Sequence, residues 1–367
     1  MQVAQATDPA PSVAPVGSPT PTWWLRGLRG QGPIATSIAL VTVVYGIAVT
    51  ALYVLGQTLG DATGWLYISN LSTIYWLAPA VGLSVFAVAA RWWLPAFACV
   101  LPAVVWLATF APLFVPQTSG PSADLRVATF NVRPEAGLDH VIRLVEREQP
   151  DVLLVQELLG ESQDELASDL APVLAHHHFS RVNQLTGGDH GTAVFSRFPV
   201  VETREIGPLP AVSRPMDVVT LDAGDGLLHV ASLHLTSPCD ECLVSGLRAG
   251  RGNTASLASL GRESDARRSE IARVTAALPV GSLIVGGDLN SSTDNTPRQR
   301  LLDAGLTDLH RVSGSGPGFT AFRKLVGFRI DWLFASDDLR PVRTWVGPTD
   351  LSDHRPVIAD LALPDGA

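Results

Sequence analysis

The chain has 367 residues and a formal net charge of −9, with 35 Asp and Glu against 26 Lys and Arg. The charges are unevenly distributed, because the segment before Asp124 carries only Asp8, Asp61, Arg26, Arg29 and Arg91. Nonspecific binding to duplex nucleic acid depends on Lys and Arg that neutralise phosphates. The strongly acidic remainder of the chain therefore disfavours a processive nuclease.

The N-terminal third is predicted to be a membrane module. Residues 1–22 are rich in Pro, Ala, Ser, Thr and Val, which predicts a disordered tail and not a secretory signal peptide. Three apolar segments follow, each near the roughly 20 residues that cross a bilayer: Ile34–Leu55, Ile74–Ala90 and Leu94–Val115. We expect three transmembrane helices within residues 23–115, although any one segment alone would also fit a buried helix of a soluble domain. Residues 116–124 are predicted to be a linker.

The basic residues of this third predict its orientation. Arg26 and Arg29 precede the first apolar segment, and Arg91 lies between the second and the third. Because basic loops stay on the cytoplasmic side, the N-terminus is predicted to be cytoplasmic and everything after the third span extracytoplasmic. The sequence thus predicts a multi-pass protein of the cell membrane.

From Leu125 onward, short β-type runs alternate with helical runs. The predicted strands are Leu125–Phe130, Val152–Gln156, Thr192–Ser196, Val218–Asp222, Leu228–Leu235, Ser282–Gly286, Ile330–Phe334 and Val357–Leu361. The predicted helices are Leu138–Glu148, Asp164–Ala175, Asp265–Ala277 and Pro297–Ala304. This order predicts an α+β layered sandwich over residues 125–367.

Polar residues stand at the ends of these apolar strands, where a rigid scaffold would hold them at one edge. They are Asn131, Gln156, Glu157, His234, Asp288, Asn290, Asp331, Asp353 and His354. Any one of them alone fits a turn residue or a structural histidine. Their order and local contexts are more specific.

The motifs FN at 130–131, QE at 156–157, GDLN at 287–290, ID at 330–331 and SDHRPV at 352–357 occur in succession. With them this part of the chain resembles the endonuclease/exonuclease/phosphatase superfamily, which includes DNase I-like nucleases, abasic-site endonucleases, inositol-polyphosphate phosphatases and bacterial sphingomyelinases. The chain would be a membrane-anchored bacterial member. The resemblance implies a four-layered α/β/β/α sandwich (DNase I-like), here preceded by the three transmembrane helices.

The strand-end residues suit a site for a hard divalent cation. Mg²⁺ prefers one or two carboxylates together with neutral oxygens, waters and a substrate phosphate. Glu157 is the predicted first ligand and Asn131 the neutral oxygen beside it, while the resemblance adds Asp353. The expected cofactor is Mg²⁺, with Mn²⁺ or Ca²⁺ as alternatives.

Phosphoester hydrolysis also needs an oriented water and stabilisation of charge on the phosphoryl oxygens. Asp288 is the candidate for positioning or deprotonating the water, and Asn290 for directing an amide at the phosphate or the water. His354 is a candidate phosphate ligand and proton carrier, and His234 a second phosphate contact. The resemblance implies that Asp331 orients the imidazole of His354.

Two further features leave alternatives open. Some family members carry an acidic or polar residue near the metal where this chain has Arg133, which cannot bind Mg²⁺ but could bind a substrate phosphate. Cys239 and Cys242 fit a local disulfide best, while a zinc site lacks a second pair and a thioredoxin-like motif lacks its context.

Together these residues predict metal-dependent hydrolysis of a phosphodiester or phosphomonoester by a membrane-tethered, extracytoplasmic domain. The alternative is a catalytically inactive membrane-anchored binding or sensor protein of the same fold; transport is disfavoured because the spans carry no ionisable residue at mid-membrane. The expected partners are the membrane and a substrate, which could be nucleic acid, a phospholipid head group or a small organic phosphate. No protein partner is predicted.

Overall fold

The structure is a computed structural model that describes residues 31–115, 122–132, 138–181, 190–210, 213–224, 226–238, 253–323, 325–348 and 352–363. The predicted tail at residues 1–22, most of the predicted linker, Arg133, Cys239 and Cys242 lie outside the described residues.

Four helices form an N-terminal unit that we call the helical layer. They are α1 (Pro33–Leu59), α2 (Gly64–Leu71), α3 (Thr73–Ala89) and α4 (Trp93–Thr109), and a 3₁₀ turn at Ala111–Phe114 follows them. At about 1.5 Å per residue, the 27 residues of α1 extend for about 40 Å, longer than the hydrocarbon core of a bilayer.

The prediction that each of the three apolar segments forms a transmembrane helix is wrong. Within the described residues, α1 alone is long and apolar enough to cross a membrane by itself. The second predicted segment gives α3, which has 17 residues; α3 meets α2 at a bend of 59°, and the two together make at most one further candidate. The third predicted segment gives α4, which has only 17 residues.

The helical layer has an apolar exterior and closely packed helices. Gly46 of α1 faces the backbone of α4, where an added Cβ would lie 2.4 Å from the carbonyl oxygen of Ala98. Such small residues let helices approach closely. Large apolar side chains are exposed on the outer surfaces of α1, α3 and α4, among them Ile38, Val41, Val44, Ile47, Val85, Phe86, Phe97, Val100 and Val104.

Two six-stranded sheets follow. The first has the order β13-β14-β1-β2-β4-β3 and the second the order β5-β6-β7-β8-β12-β9. The strands are β1 (Leu125–Asn131), β2 (Val152–Leu159), β3 (His176–Phe179), β4 (His190–Ser196), β5 (Val200–Glu205), β6 (Asp217–Asp222), β7 (Leu227–His234), β8 (Leu283–Asp288), β9 (Thr307–Asp308), β10 (Ala321–Arg323), β11 (Val326–Phe328), β12 (Asp331–Ala335), β13 (Arg340–Val346) and β14 (Val357–Ala362). Strands β10 and β11 form a separate hairpin.

The helices of this part are α5 (Asp139–Glu148), α6 (Gln163–Leu170), α7 (Asn253–Ala277), α8 (Thr296–Asp303) and α9 (Leu309–Ser313). Apolar residues of both sheets, such as Leu154 and Ile284, form the core between them. Helices α5 and α6 cover the outer face of the first sheet, and α7 and α8 cover that of the second. The predicted α+β sandwich is therefore confirmed, with the layers α/β/β/α.

The helical layer contacts the sandwich through one of its ends. At that end the hydroxyl of Tyr75, in α3, donates to the carbonyl oxygen of Gly327, and Arg311 donates to the carbonyl oxygen of Thr109 at the end of α4. Asp61, between α1 and α2, accepts a hydrogen bond from the backbone N–H of Thr296 at the start of α8. The turn at Arg91 lies at the opposite ends of α3 and α4.

Candidate active site

Strand register brings three of the strand-end residues side by side. In the second sheet β7 and β8 are parallel, with His234 opposite Asp288, and β12 is antiparallel to β8, with Asp331 opposite Asp288. Neighbouring strands lie about 4.8 Å apart, so the three side chains project from one edge within reach of each other. In the first sheet the parallel strands β1 and β2 place Asn131 opposite Gln156.

Asn131 joins the two sheets at this edge. Its Nδ2 atom donates to Oε1 of Glu157 at 3.1 Å and to Oδ2 of Asp288 at 3.0 Å. Glu157 reaches this position through a left-handed backbone, with φ of 62°. The irregular pairing of β2 with β4 between Val155 and Leu158 accommodates the turn. We call the group listed here the rim cluster: Asn131, Glu157, His234, Asp288, Asp331 and His354.

Gly287 allows the backbone before Asp288 to take its path. Its φ is 135°, a conformation that side chains disfavour, and a Cβ there would lie 1.9 Å from the carbonyl oxygen of Leu233. The glycine of the GDLN motif therefore brings β8 against β7 immediately before the strand-end carboxylate.

Asp288 is almost fully buried, at 2% exposure. Burial and the charge of Asp331 raise the pKa of Asp288 to about 7, although the charge of His354 acts in the opposite direction. A carboxyl group with such a pKa exchanges a proton readily near neutral pH.

His354 and Asp331 form an ion pair, with Nδ1 of the imidazole 2.9 Å from Oδ2 of the carboxylate. Burial alone lowers the pKa of His354, but the charge and hydrogen bond of Asp331, together with Asp288 and Asp353, raise it to about 10. The imidazole is therefore charged at neutral pH. Because Nδ1 faces Asp331, Nε2 is the nitrogen left to face a ligand.

His234 is fully buried and, by contrast, electrically neutral. Burial lowers its pKa well below the ordinary value, and the charges of Arg214, His354 and His190 act in the same direction. Its Nε2 atom lies 3.5 Å from Oε1 of Glu157 and 3.8 Å from Oδ2 of Asp288. Among the described residues neither ring nitrogen has a hydrogen-bond partner.

Asn290 lies in a tight turn after β8, with φ of 47°, and its backbone N–H donates to Oδ1 of Asp288 at 2.8 Å. Its Nδ2 atom donates to the carbonyl oxygen of Leu235. Asp288 and Asn290 therefore do not lie on one extended segment. The left-handed turn at Asn290 directs its side chain towards the end of β7.

The structure offers two groups of side chains whose ligand atoms lie within 4.8 Å of each other: Glu157 with His234 and Asp288, and Asp288 with Asp331 and His354. In the second group Nδ1 of His354 is already paired with Oδ2 of Asp331. The first fits a divalent cation, since it combines two carboxylates with a neutral imidazole that has no hydrogen-bond partner among the described residues. Asp353 is exposed, belongs to neither group, and lines the cavity in front of them.

A cavity of about 400 Å³ opens in front of the rim cluster, lined on one side by Glu157, Asp288 and His354. Its lining also includes Tyr67 of α2, whose hydroxyl donates to the carbonyl oxygen of Asn290 at 2.9 Å. The sequence interpretation missed this contribution of the helical layer. The signal available was Asp61, the one acidic residue in an otherwise apolar stretch.

Gln156 has a supporting position between the sheets. Its side chain donates to the hydroxyl of Ser232 in the second sheet and accepts from the hydroxyl of Thr129 in the first. It therefore fixes the spacing of the sheets beneath the rim cluster.

A sequence model of the endonuclease/exonuclease/phosphatase family matches residues 128–354. An endonuclease/exonuclease/phosphatase from Beutenbergia cavernae is similar in structure, with a TM-score of 0.53 and 23% identity over 67% of this chain and 73% of that one. A 3′ phosphatase from Neisseria bound to a product DNA hairpin has a TM-score of 0.50 and 21% identity over 65% and 99%. An AP endonuclease from Archaeoglobus fulgidus has a TM-score of 0.50 and 18% identity over 65% and 99%.

The comparison with curated proteins gives no match. At these identities the solved structures show a shared fold. The family model, however, spans more than half of the chain and includes every member of the rim cluster. The chain therefore belongs to the endonuclease/exonuclease/phosphatase family.

Proposed function

We propose that the protein hydrolyses a phosphoester with the help of a divalent metal ion. The observation that carries the proposal is the convergence of a buried carboxyl group, Asp288, with a charged imidazole, His354, at the edge that also holds the carboxylate of Glu157. Hydrolysis needs these three elements: a group that takes a proton from water, a cation for the phosphoryl oxygens and a metal ligand.

Asp288 would accept the proton of the attacking water. A pKa near 7 suits this role, because a base works best when its pKa lies close to the working pH. The backbone N–H of Asn290 and the amide of Asn131 hold the two carboxylate oxygens in place.

His354 would donate from Nε2 to a phosphoryl oxygen. Asp331 fixes the ring through Nδ1 and keeps it charged, so that the donor is already oriented when negative charge increases on the phosphate. His234 and Asn290 are proposed to contact the phosphate from the other side. For Arg133 the phosphate contact stays a prediction from the sequence.

Glu157 and Asn131 would hold the metal ion, with the neutral imidazole of His234 beside them. When bound, the ion supplies a positive charge that stabilises the phosphoryl oxygens. The oxygen-rich donors favour Mg²⁺, with Mn²⁺ or Ca²⁺ as alternatives. Asp353, which lines the cavity, would supply a further carboxylate contact to the ion.

The test uses the full chain in detergent with bis-p-nitrophenyl phosphate. Hydrolysis is expected with Mg²⁺, Mn²⁺ or Ca²⁺, and is expected to stop with EDTA and return when the metal is restored. Asp288→Asn should lower kcat by at least about 100-fold, as expected for loss of a general base. Activity that survives both EDTA and this substitution would refute the proposal, and absence of any hydrolysis would favour the inactive binding protein.

We further propose that α1 anchors the chain in a membrane and that the sandwich lies outside the cytoplasm. The apolar exterior of the helical layer supports the anchor, and the position of Arg91 at the end remote from the sandwich supports the orientation. Leu325, which is 98% exposed, is a suitable labelling site. With Cys239 and Cys242 replaced by Ser, Leu325→Cys should react with a membrane-impermeant maleimide in intact cells. Reaction only after lysis would show that the sandwich lies on the cytoplasmic side and would refute the proposed orientation.

A further inference from the structure

The cavity in front of the rim cluster has two walls of different chemistry. One wall carries the polar groups described above, including Asp288 and His354. The other is largely apolar, and its side chains come from α2, α7 and the β10–β11 hairpin: Ile68, Leu71, Leu260, Phe322 and Phe328. A ligand that fills this space must therefore present a polar group to one wall and an apolar group to the other.

The apolar wall is held firmly against the rim cluster. Tyr67 of α2 donates through its hydroxyl to Asn290, and its backbone carbonyl accepts from Nδ2 of Asn295. The guanidinium of Arg267 lies 4.0 Å from the centre of the Tyr67 ring. Helix α2 is therefore fixed from both sides and keeps Ile68 and Leu71 at the cavity.

The apolar wall continues onto the outside of the molecule. The ring of Tyr75, at the start of α3, contacts the rings of Phe319 and Phe328. At the hairpin, Phe322 is 39% exposed and Leu325 is 98% exposed. An apolar surface thus runs from the cavity to the helical layer, whose exterior is itself apolar.

The described lining of the cavity carries acidic side chains and neither Lys nor Arg. The acidic side chains are those of Glu157, Asp288 and Asp353. Contacts along a nucleic-acid strand require several cationic side chains. A single phosphate flanked by an apolar group requires fewer such contacts than a strand does.

We infer that the substrate is an amphiphilic phosphoester, a lipid in which a phosphate joins a long alkyl group to a second alcohol. Its phosphate lies at the rim cluster and its alkyl chain against Ile68, Leu71 and Phe322. This inference rests on the proposed function and specifies its substrate. In the reaction, the oxygen of water bonds to phosphorus and one of its protons passes to Asp288, while one P–O ester bond breaks. The departing alkoxide takes up a proton and leaves as an alcohol.

Two esters with the same leaving group test the inference with the full chain in detergent: dodecyl p-nitrophenyl phosphate and methyl p-nitrophenyl phosphate. The value of kcat/KM should be at least about tenfold higher for the dodecyl ester, because burial of methylene groups favours binding. Leu71→Ser should lower this ratio at least about threefold. Phe322→Ser, at a side chain that is already 39% exposed, is a second variant in case the first does not fold.

Leu227→Ser is the matched control, since this exposed leucine stands at the opposite end of β7 from His234. Partition of the dodecyl ester into micelles is the same for all proteins, so the control should keep the wild-type ratio. Hydrolysis of both esters with a ratio near one, or a ratio that falls equally in the control, would overturn the inference and leave the proposed function intact. Faster cleavage of single-stranded DNA than of the dodecyl ester would also overturn it. If neither ester is hydrolysed, the proposed function itself is refuted.

Discussion

Asp61 is predicted to couple the helical layer to the active-site loop. Its side chain is 1% exposed, and Oδ1 accepts from Nδ2 of Asn70 and from Nδ2 of Asn295, each at 2.9 Å. Oδ2 accepts from the backbone N–H of Thr296 at 2.8 Å, at the first residue of α8. Asn295 in turn accepts from the backbone N–H of Ser292, in the loop that follows Asp288 and Asn290.

Asp61→Asn tests this coupling with little change in shape. Both oxygens face only N–H donors, so an amide in either orientation sets one N–H against another and loses at least one hydrogen bond. Loss of a buried hydrogen bond of this kind costs about 1–3 kcal/mol, and loss of a negative charge at a helix N-terminus adds about 0.3–1 kcal/mol. We expect the free energy of unfolding of the variant to be about 1–4 kcal/mol lower than that of the wild type. We also expect kcat to fall, because the loop loses its support.

The assay compares thermal unfolding and kcat for the full chain in the same detergent. Asp265→Asn is the control, because that carboxylate is 60% exposed and pairs with Arg268 across one turn of the same helix. Removal of such a surface pair changes stability by less than about 1 kcal/mol. If Asp61→Asn has the same melting temperature and the same kcat as the control, the helical layer does not support the loop and the prediction is refuted.

Two further predictions concern the sandwich. Gly287→Ala should yield little folded protein, because its Cβ would overlap the carbonyl oxygen of Leu233, and normal folding yield would contradict the structure at that point. Asp308 is fully enclosed by Arg329 and Arg298: burial raises its pKa, but the two guanidinium groups hold it well below the usual range. A carboxyl group whose pKa is lowered by folding stabilises the fold fully above its pKa in the unfolded chain, which is about 4. This stabilisation is lost progressively as the pH falls from there towards the pKa in the folded protein. Asp308→Asn should therefore destabilise the protein by about 3–5 kcal/mol at pH 7, and by less at pH 3, in denaturant titrations. An effect that does not depend on pH would contradict this assignment.

The strand-end residues could be predicted because each has a local signal. Asp288 follows the apolar run LIVGG and Asp331 begins the run DWLFA, so both were expected at strand ends. Their distance from each other is set by strand register, which depends on pairing between segments far apart in the chain. The sequence predicted the members of the rim cluster, and the structure supplied their contacts.

The helical elements show where local signals are insufficient. The second predicted segment, Ile74–Ala90, corresponds to α3, but the short helix α2 before it was not predicted, and α2 meets α3 at a bend of 59°. Helix α7 begins at Asn253, earlier than the predicted start at Asp265. The prediction missed its N-terminal half because that half has the small and polar composition of a loop. That half packs near α2, a contact that no local pattern encodes.

The roles of Asp61 and Tyr67 were also inaccessible from the sequence. Both act on a loop more than 200 residues away in the chain, through Thr296 and Asn290. A single carboxylate and a single tyrosine near apolar segments fit the membrane interface equally well. Only the folded chain shows that both contact the segment that follows Asp288.

Among the residues that the structure describes, two His–Asp pairs have the same separation, and they allow the most direct test of the central claim. His354 pairs with Asp331 at 2.9 Å in the rim cluster, while His178 pairs with Asp217 at 2.9 Å on β3 and β6, outside it. Hydrolysis of bis-p-nitrophenyl phosphate by His354→Gln should fall at least about 100-fold, whereas His178→Gln should retain the wild-type rate. Equal rates in the two variants would contradict the assignment of phosphoester hydrolysis to the rim cluster.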